Sequence, residues 1–109
     1  MKPEISYDDF SKLELRVATV LSAREHPNAD KLLLLQIDAG EGQRQIVAGI
    51  RGHYQPDELV GRQIVVLVNL EEAMLRGEES QGMLLAAGDG DDVVLLQPDR
   101  ECTPGAAIK

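Results

Sequence analysis

Catalysis needs reactive groups brought together, and this chain of 109 residues carries few of them. It has two histidines, His26 and His53, and one cysteine, Cys102, with no spacing among them that suits a metal ion. Gly40-Glu41-Gly42 lacks the preceding strand and following helix of a phosphate loop and reads as a hairpin turn. Ser80 stands in Glu-Ser-Gln-Gly, which does not fit a nucleophile elbow. The carboxylate pairs Glu71–Glu72, Glu78–Glu79 and Asp91–Asp92 are adjacent, and neighbours along a chain read as solvated faces rather than as a converging acid and base. The expectation is a non-enzymatic protein with no catalytic residues, no metal and no cofactor.

The chain has the size of one domain, 1–109, and 43% apolar residues is enough for one core. With one Phe, two Tyr and no Trp, that core has to be built from Val, Leu and Ile. The longest apolar runs, around Leu32–Leu35 and Ile64–Val68, fall far short of the ~18 residues of a membrane span. The start, Met-Lys-Pro-Glu-Ile-Ser-Tyr, has no apolar signal region, and a lone cysteine fits a reducing compartment. The expected location is therefore cytoplasmic.

Ser6 can cap a short helix over Tyr7–Leu13, with acidic residues in its first turn where the helix dipole favours them. Leu15–Leu21 alternates as a strand does, and His26-Pro27-Asn28-Ala29-Asp30 is a turn. Leu32–Asp38 and Gln45–Ile50 read as a second and a third strand. Gln55–Gly61, with Pro56 at its start and Gly61 past its end, reads as a short helix. Gln63–Asn69 is a fourth strand, and Gly82–Ala87 with Val93–Gln97 form a last pair around a polar turn. Short strands, polar turns and one helix between strands three and four predict an all-β fold, a five-stranded OB-fold barrel with a short N-terminal helix.

The net charge of −8 is unevenly spread. Residues 1–55 hold seven Lys/Arg against eight Asp/Glu, and residues 56–109 hold four against eleven. A polyanion site would therefore draw mainly on the first half, while the bland reading is that the charge keeps the protein soluble.

Three stretches together resemble the tRNA-binding OB domain family: Asp9–Ala18; His26–Leu32 followed by Val47-Ala48-Gly49-Ile50; and Val68-Asn69-Leu70 followed by Arg76–Ala87. That family includes free-standing dimeric tRNA-binding proteins, the C-terminal dimerisation domain of many bacterial methionyl-tRNA synthetases, and cytokine-like and chaperone-like relatives. The resemblance runs from about Ile5 to the end of the chain. It implies an OB barrel, a homodimer, and tRNA bound by its folded shape at the outer corner of the L.

On the matching positions, Arg16, Asn28, Lys31, Arg76, Ser80 and Met83 are the tRNA-binding candidates. Lys31 follows a tight turn and can meet a phosphate, although a turn lysine is otherwise just solvated. Asn28 can bond a ribose or base, against the commoner role of shaping the turn. Arg16 can reach RNA or pair with Glu14 or Asp30. The Arg76–Met83 segment reads as a polar loop between strands four and five, where OB folds commonly bind oligonucleotides. Ser80 offers a hydroxyl there, and Met83 offers adaptable apolar surface or begins the core of strand five. Family members usually carry basic residues just before this segment, where this chain has Glu71-Glu72-Ala73-Met74-Leu75. Scarce aromatics argue against stacking single-stranded bases, and folded RNA read by shape does not need them.

The sequence thus points to a homodimer binding tRNA, free-standing or as an appendix of a methionyl-tRNA synthetase, with an aminoacyl-tRNA synthetase as a further partner and no membrane. Met1 and a whole barrel favour the free-standing form. The alternatives are a chaperone-like or protein-interaction module of the same fold, and a dimerisation domain whose RNA site has decayed.

Overall fold

The computed structural model describes the whole chain, Met1–Lys109. Its spine is β1 (Leu15–Glu25), whose inward side buries Ala18 and Val20 in the core. Eleven residues are enough for β1 to serve two neighbours in succession. Its first half, Leu15–Thr19, pairs antiparallel with β4 (Gln63–Leu67), and its second half, Thr19–Glu25, with β2 (Leu33–Asp38). The register shifts between Val20 and Ser22, and such a bulge bends and twists a strand. That bend lets the sheet curl. β2 pairs in turn with β3 (Gln43–Ala48), and β4 with β7 (Met83–Leu84), giving the order β3-β2-β1-β4-β7.

Two short helices accompany the sheet. α1 (Tyr7–Ser11) is capped by the Ser6 hydroxyl, which accepts from the Asp9 N–H at 3.1 Å, and it buries none of its residues. α2 (Pro56–Leu59) lies between β3 and β4, as the sequence predicts, and sends the fully buried Leu59 into the core. The core cluster is aliphatic throughout, built on Leu33, Leu35, Ile37, Ile46, Ile64 and Val66. Tyr54 packs against it, and its hydroxyl accepts from the Leu95 N–H at 3.1 Å.

The edges of the curled sheet meet without a regular ladder. β3 faces residues 79–82, and the seam is made largely by side chains. The Ser80 hydroxyl, buried, accepts from the Val47 N–H at 2.9 Å and donates to the Gly82 carbonyl at 3.0 Å. The Gln45 side chain donates to the Glu79 carbonyl at 2.9 Å, and the Gln81 N–H donates to the Gln45 carbonyl at 2.8 Å. Arg44 donates to the carbonyls of Val68 and Gln81 at 3.0 and 3.3 Å. Gly82 completes the seam: a Cβ there would stand 3.0 Å from the Leu67 carbonyl oxygen, and its φ of +143° suits glycine.

The five-stranded barrel with a helix between strands three and four is as expected. Three local features are not. The Arg76–Met83 segment, expected as a polar loop, instead supplies the turn and second strand of a hairpin, β5 (Ala73–Leu75) and β6 (Glu78–Ser80) joined by Arg76-Gly77, and Met83 opens β7. Both turn residues have positive φ, +55° and +89°, which matches the right-handed twist of the flanking strands. The last strand pair begins later than read, as β8 (Ala86–Asp89) and β9 (Asp92–Leu95), because Met83 and Leu84 pair with β4 instead. The tail ends in β10 (Ala107–Ile108), which takes the free edge of β1 beside Leu15 and Arg16. To reach it the chain crosses Gly40 so closely that a Cβ on Gly105 would fall 2.8 Å from the Gly40 Cα.

Removing the Ser80 hydroxyl leaves a buried N–H at Val47 without an acceptor, so Ser80→Ala should cost about 1–3 kcal/mol of stability. Urea denaturation of both proteins checks this, and an unchanged midpoint would show that the seam does not depend on that hydroxyl.

Candidate nucleic-acid interface

The turn after β1 is held by three side chains, His26, Arg51 and Arg76. His26 is buried, and its Nδ1 accepts from the Asn28 N–H at 2.9 Å. A backbone N–H can only donate, so the ring proton sits on Nε2, which donates to the Leu75 carbonyl at 2.9 Å. One imidazole therefore shapes the turn and fastens it to the β5–β6 hairpin. Arg51 holds the turn from the other side: its Nη1 donates to the Ala29 carbonyl at 2.9 Å, and its Nε lies 3.2 Å from the Glu25 carboxylate. Arg76, at the hairpin tip, donates to the Asn28 carbonyl at 3.2 Å.

The six candidate residues fall into separate places. Asn28, Lys31 and Arg76 come together around one depression of about 410 Å³, completed by Ala29, Asp30 and Leu32. Lys31 is exposed and makes no ion pair, so its ammonium faces solvent there. Met83 is half-exposed in a separate apolar groove of about 290 Å³ with Leu70, Ala73, Leu75 and Gly49, which adjoins the depression where Leu75 meets Arg76. The groove also touches Ser80, but that hydroxyl is engaged in the barrel seam. Arg16 stands apart in a cleft of about 150 Å³, with its guanidinium 3.2 Å from Glu14 and donating to the Gly105 carbonyl at 2.9 Å. Pairing with Glu14 is one of the two roles its position suggests.

The sequence reading did not single out His26 or Arg51 as builders of this site. A histidine in a Pro-Asn turn carries no mark of burial, and Arg51 acts across more than twenty residues on carbonyls that the sequence does not distinguish.

The hairpin is acidic. Glu78 lies 4.0 Å from Arg24 and 3.3 Å from the Gln45 amide. Glu79 titrates above the ordinary carboxylate value, first because it shares a hydrogen bond with Glu72 and next because the two charges repel. Glu71 lines the groove and makes neither an ion pair nor a hydrogen bond. Most cations are already engaged: Lys12, Arg16, Arg24, Arg51 and Arg100 face carboxylates within 4.0 Å. Arg44 donates to carbonyls, and Arg62 lies 5.3 Å over the Tyr54 ring. No three His, Cys, Asp or Glu side chains cluster as metal ligands. No helix is long and apolar enough to cross a membrane.

Residues 15–107 match the family model described as "Putative tRNA binding domain". A methionine–tRNA ligase of Thermotoga maritima is 60% identical over 104 residues, which are 95% of this chain and 16% of that protein. A methionine–tRNA ligase of Thermococcus kodakarensis is 50% identical over 105 residues, 96% of this chain and 14% of that protein. The chain thus spans only a small fraction of the length of these relatives. Among solved structures, a MetRS related protein from Pyrococcus horikoshii has a TM-score of 0.92 at 34% identity, covering 99% of this chain and 100% of that one. The chaperone CsaA of Bacillus anthracis has a TM-score of 0.89 at 38% identity, covering 98% and 100%.

The raised titration of Glu79 has a definite sign. The folded state holds that proton more tightly than the unfolded chain, so its stabilising effect is complete below the ordinary carboxylate value. It is lost as pH rises through the raised one, after which the Glu72–Glu79 repulsion remains. Glu72→Gln should bring the Glu79 titration down towards the ordinary value, read by carbon NMR of the carboxyl. A titration that stays in place would mean that Glu72 is not its cause.

Proposed function

The chain belongs to the tRNA-binding-domain family, and from that premise we propose how it performs this role. It is a binding module and not an enzyme, in keeping with the family it matches. The tRNA backbone lies along the face formed by the 26–31 turn and the tip of the β5–β6 hairpin. The observation that carries this reading is the convergence of Asn28, Lys31 and Arg76 on one depression. Lys31 and Arg76 meet phosphates, and Asn28 meets a ribose or base. Ser80 serves by holding the hairpin, and Met83 offers apolar surface beside it. Arg16 contributes, if at all, from outside this face. Recognition is by folded shape at the outer corner of the L, which needs few aromatics.

The protein acts as a cytoplasmic homodimer, in company with a methionine–tRNA ligase or as part of one. Dimerisation is supported by α1, which leaves Tyr7 and Phe10 exposed, with Ile5 and Leu13 flanking them. A chaperone-like second reading is favoured by the apolar groove beside Met83. It predicts capture of unfolded protein with indifference to tRNA.

Two experiments test these readings. Gel shifts with total tRNA should show binding that weakens with salt at a shallow slope, on the order of 2–4, because few cations are free. Lys31→Glu and Arg76→Glu should weaken binding, and Glu72→Lys should tighten it. If the native protein binds tRNA and none of these changes shifts it, the face is misplaced. Light scattering should give twice the 11.9 kDa chain mass, and Phe10→Glu should shift it towards one chain. A monomer at micromolar concentration would remove the dimer.

A further inference from the structure

Four glutamates surround the β5–β6 hairpin. Glu78 faces Arg24 and Gln45, and Glu72 and Glu79 lie close enough for their charges to repel. Glu71 makes neither an ion pair nor a hydrogen bond, and it is the one that lines the apolar groove. The other walls of that groove are mostly aliphatic, with Leu70, Leu75 and Met83 47%, 38% and 46% exposed. Along its side runs Gly49, where an added Cβ would meet nothing nearer than Leu32 at 4.0 Å, so a flat group can lie close to the backbone.

We infer that this groove holds one unpaired guanine base of the bound RNA, with the Glu71 carboxylate accepting from its N1–H and N2–H groups. An ionised carboxylate only accepts, through two oxygens side by side, so its best partner presents two donors side by side. Guanine alone among the four bases does so on its Watson–Crick edge. Adenine, cytosine and uracil each pair a single donor site with acceptors that a carboxylate repels. Aliphatic walls and a pliable methionine suit the faces of one ring system. A volume of about 290 Å³ is at the small end for a ligand pocket, as one base requires.

The occupant is RNA because the groove continues from the proposed phosphate face. Leu75 lines the groove, and the next residue, Arg76, lines the depression with Asn28 and Lys31. A nucleotide with its phosphate at Arg76 can extend its base past Leu75 into the groove. This inference rests on the tRNA reading above and adds base selectivity to it.

The test titrates GMP, IMP and AMP into the full chain and follows the Met83 methyl and the Gly49 amide by NMR. IMP lacks the N2 amine, and AMP lacks both donors. GMP should move both signals saturably and bind about tenfold tighter than IMP or AMP, as one two-bond base contact implies. Glu71→Gln should abolish that preference. Equal effects of the three nucleotides, or no effect of GMP at the groove, would overturn the inference. So would saturation of the groove by N-acetyl-arginine amide but not by GMP, which would give it to peptides. Total tRNA added to the native protein separates the two readings. Binding of tRNA without GMP selectivity defeats only the guanine site, whereas failure to bind tRNA defeats the RNA reading itself.

Discussion

The proposed binding face depends first on the bond between the Ser80 hydroxyl and the Val47 N–H. The curled sheet brings β3 against residues 79–82 without a ladder to join them, and this bond, with Gln45 and Arg44 beside it, makes the seam. Two things follow physically. The base of the β5–β6 hairpin is fixed to the barrel, and the groove beside Met83 acquires a stable edge. Were the seam a continuous ladder, β3 and β6 would form a flat wall with no hairpin standing out from it. A side-chain seam permits the hairpin to rise away from the barrel while its root remains buried.

The hairpin tip is then held a second time, by His26 Nε2 on the Leu75 carbonyl and by Arg76 on the Asn28 carbonyl. Root and tip together hold the arm in place. Arg76 at its tip lines the depression with Lys31, and Leu75 beside it lines the apolar groove with Glu71. A chain with net charge −8 can present an attractive surface to RNA only by such local segregation. Here the Lys31 ammonium and Arg76 share the depression with one carboxylate, Asp30, while Glu71, Glu72, Glu78 and Glu79 lie outside it.

The fold was legible in the sequence because its determinants are local. Alternation in Leu15–Leu21, Pro56 and Gly61 around a short helix, and polar turns between apolar runs each report on their own neighbourhood. The β5–β6 hairpin is not announced by the sequence, where Arg76–Met83 reads as a loop, because its turn has Arg76 where Asn or Gly would mark one and its strands are only three residues long. At the site, Lys31 is recognisable as a cation following a turn, and Arg76 as the start of a polar segment. Ser80 was recognisable as important, but its type could not tell a hydroxyl offered to a ligand from one closing a barrel. His26 and Arg51 were missed for a different reason: they act on distant backbone carbonyls, which look alike at every position of a sequence.

The turn at Arg76 carries a further implication for how this surface changes over time. A side chain with a Cβ at φ +55° is strained, and asparagine or glycine would fit that position with less cost. Selection for thermal endurance alone would favour such a replacement and would discard the guanidinium at the tip of the arm. A lineage that keeps arginine there under heat is one in which the contact made by that tip matters more to survival than the fraction of folded protein it forgoes.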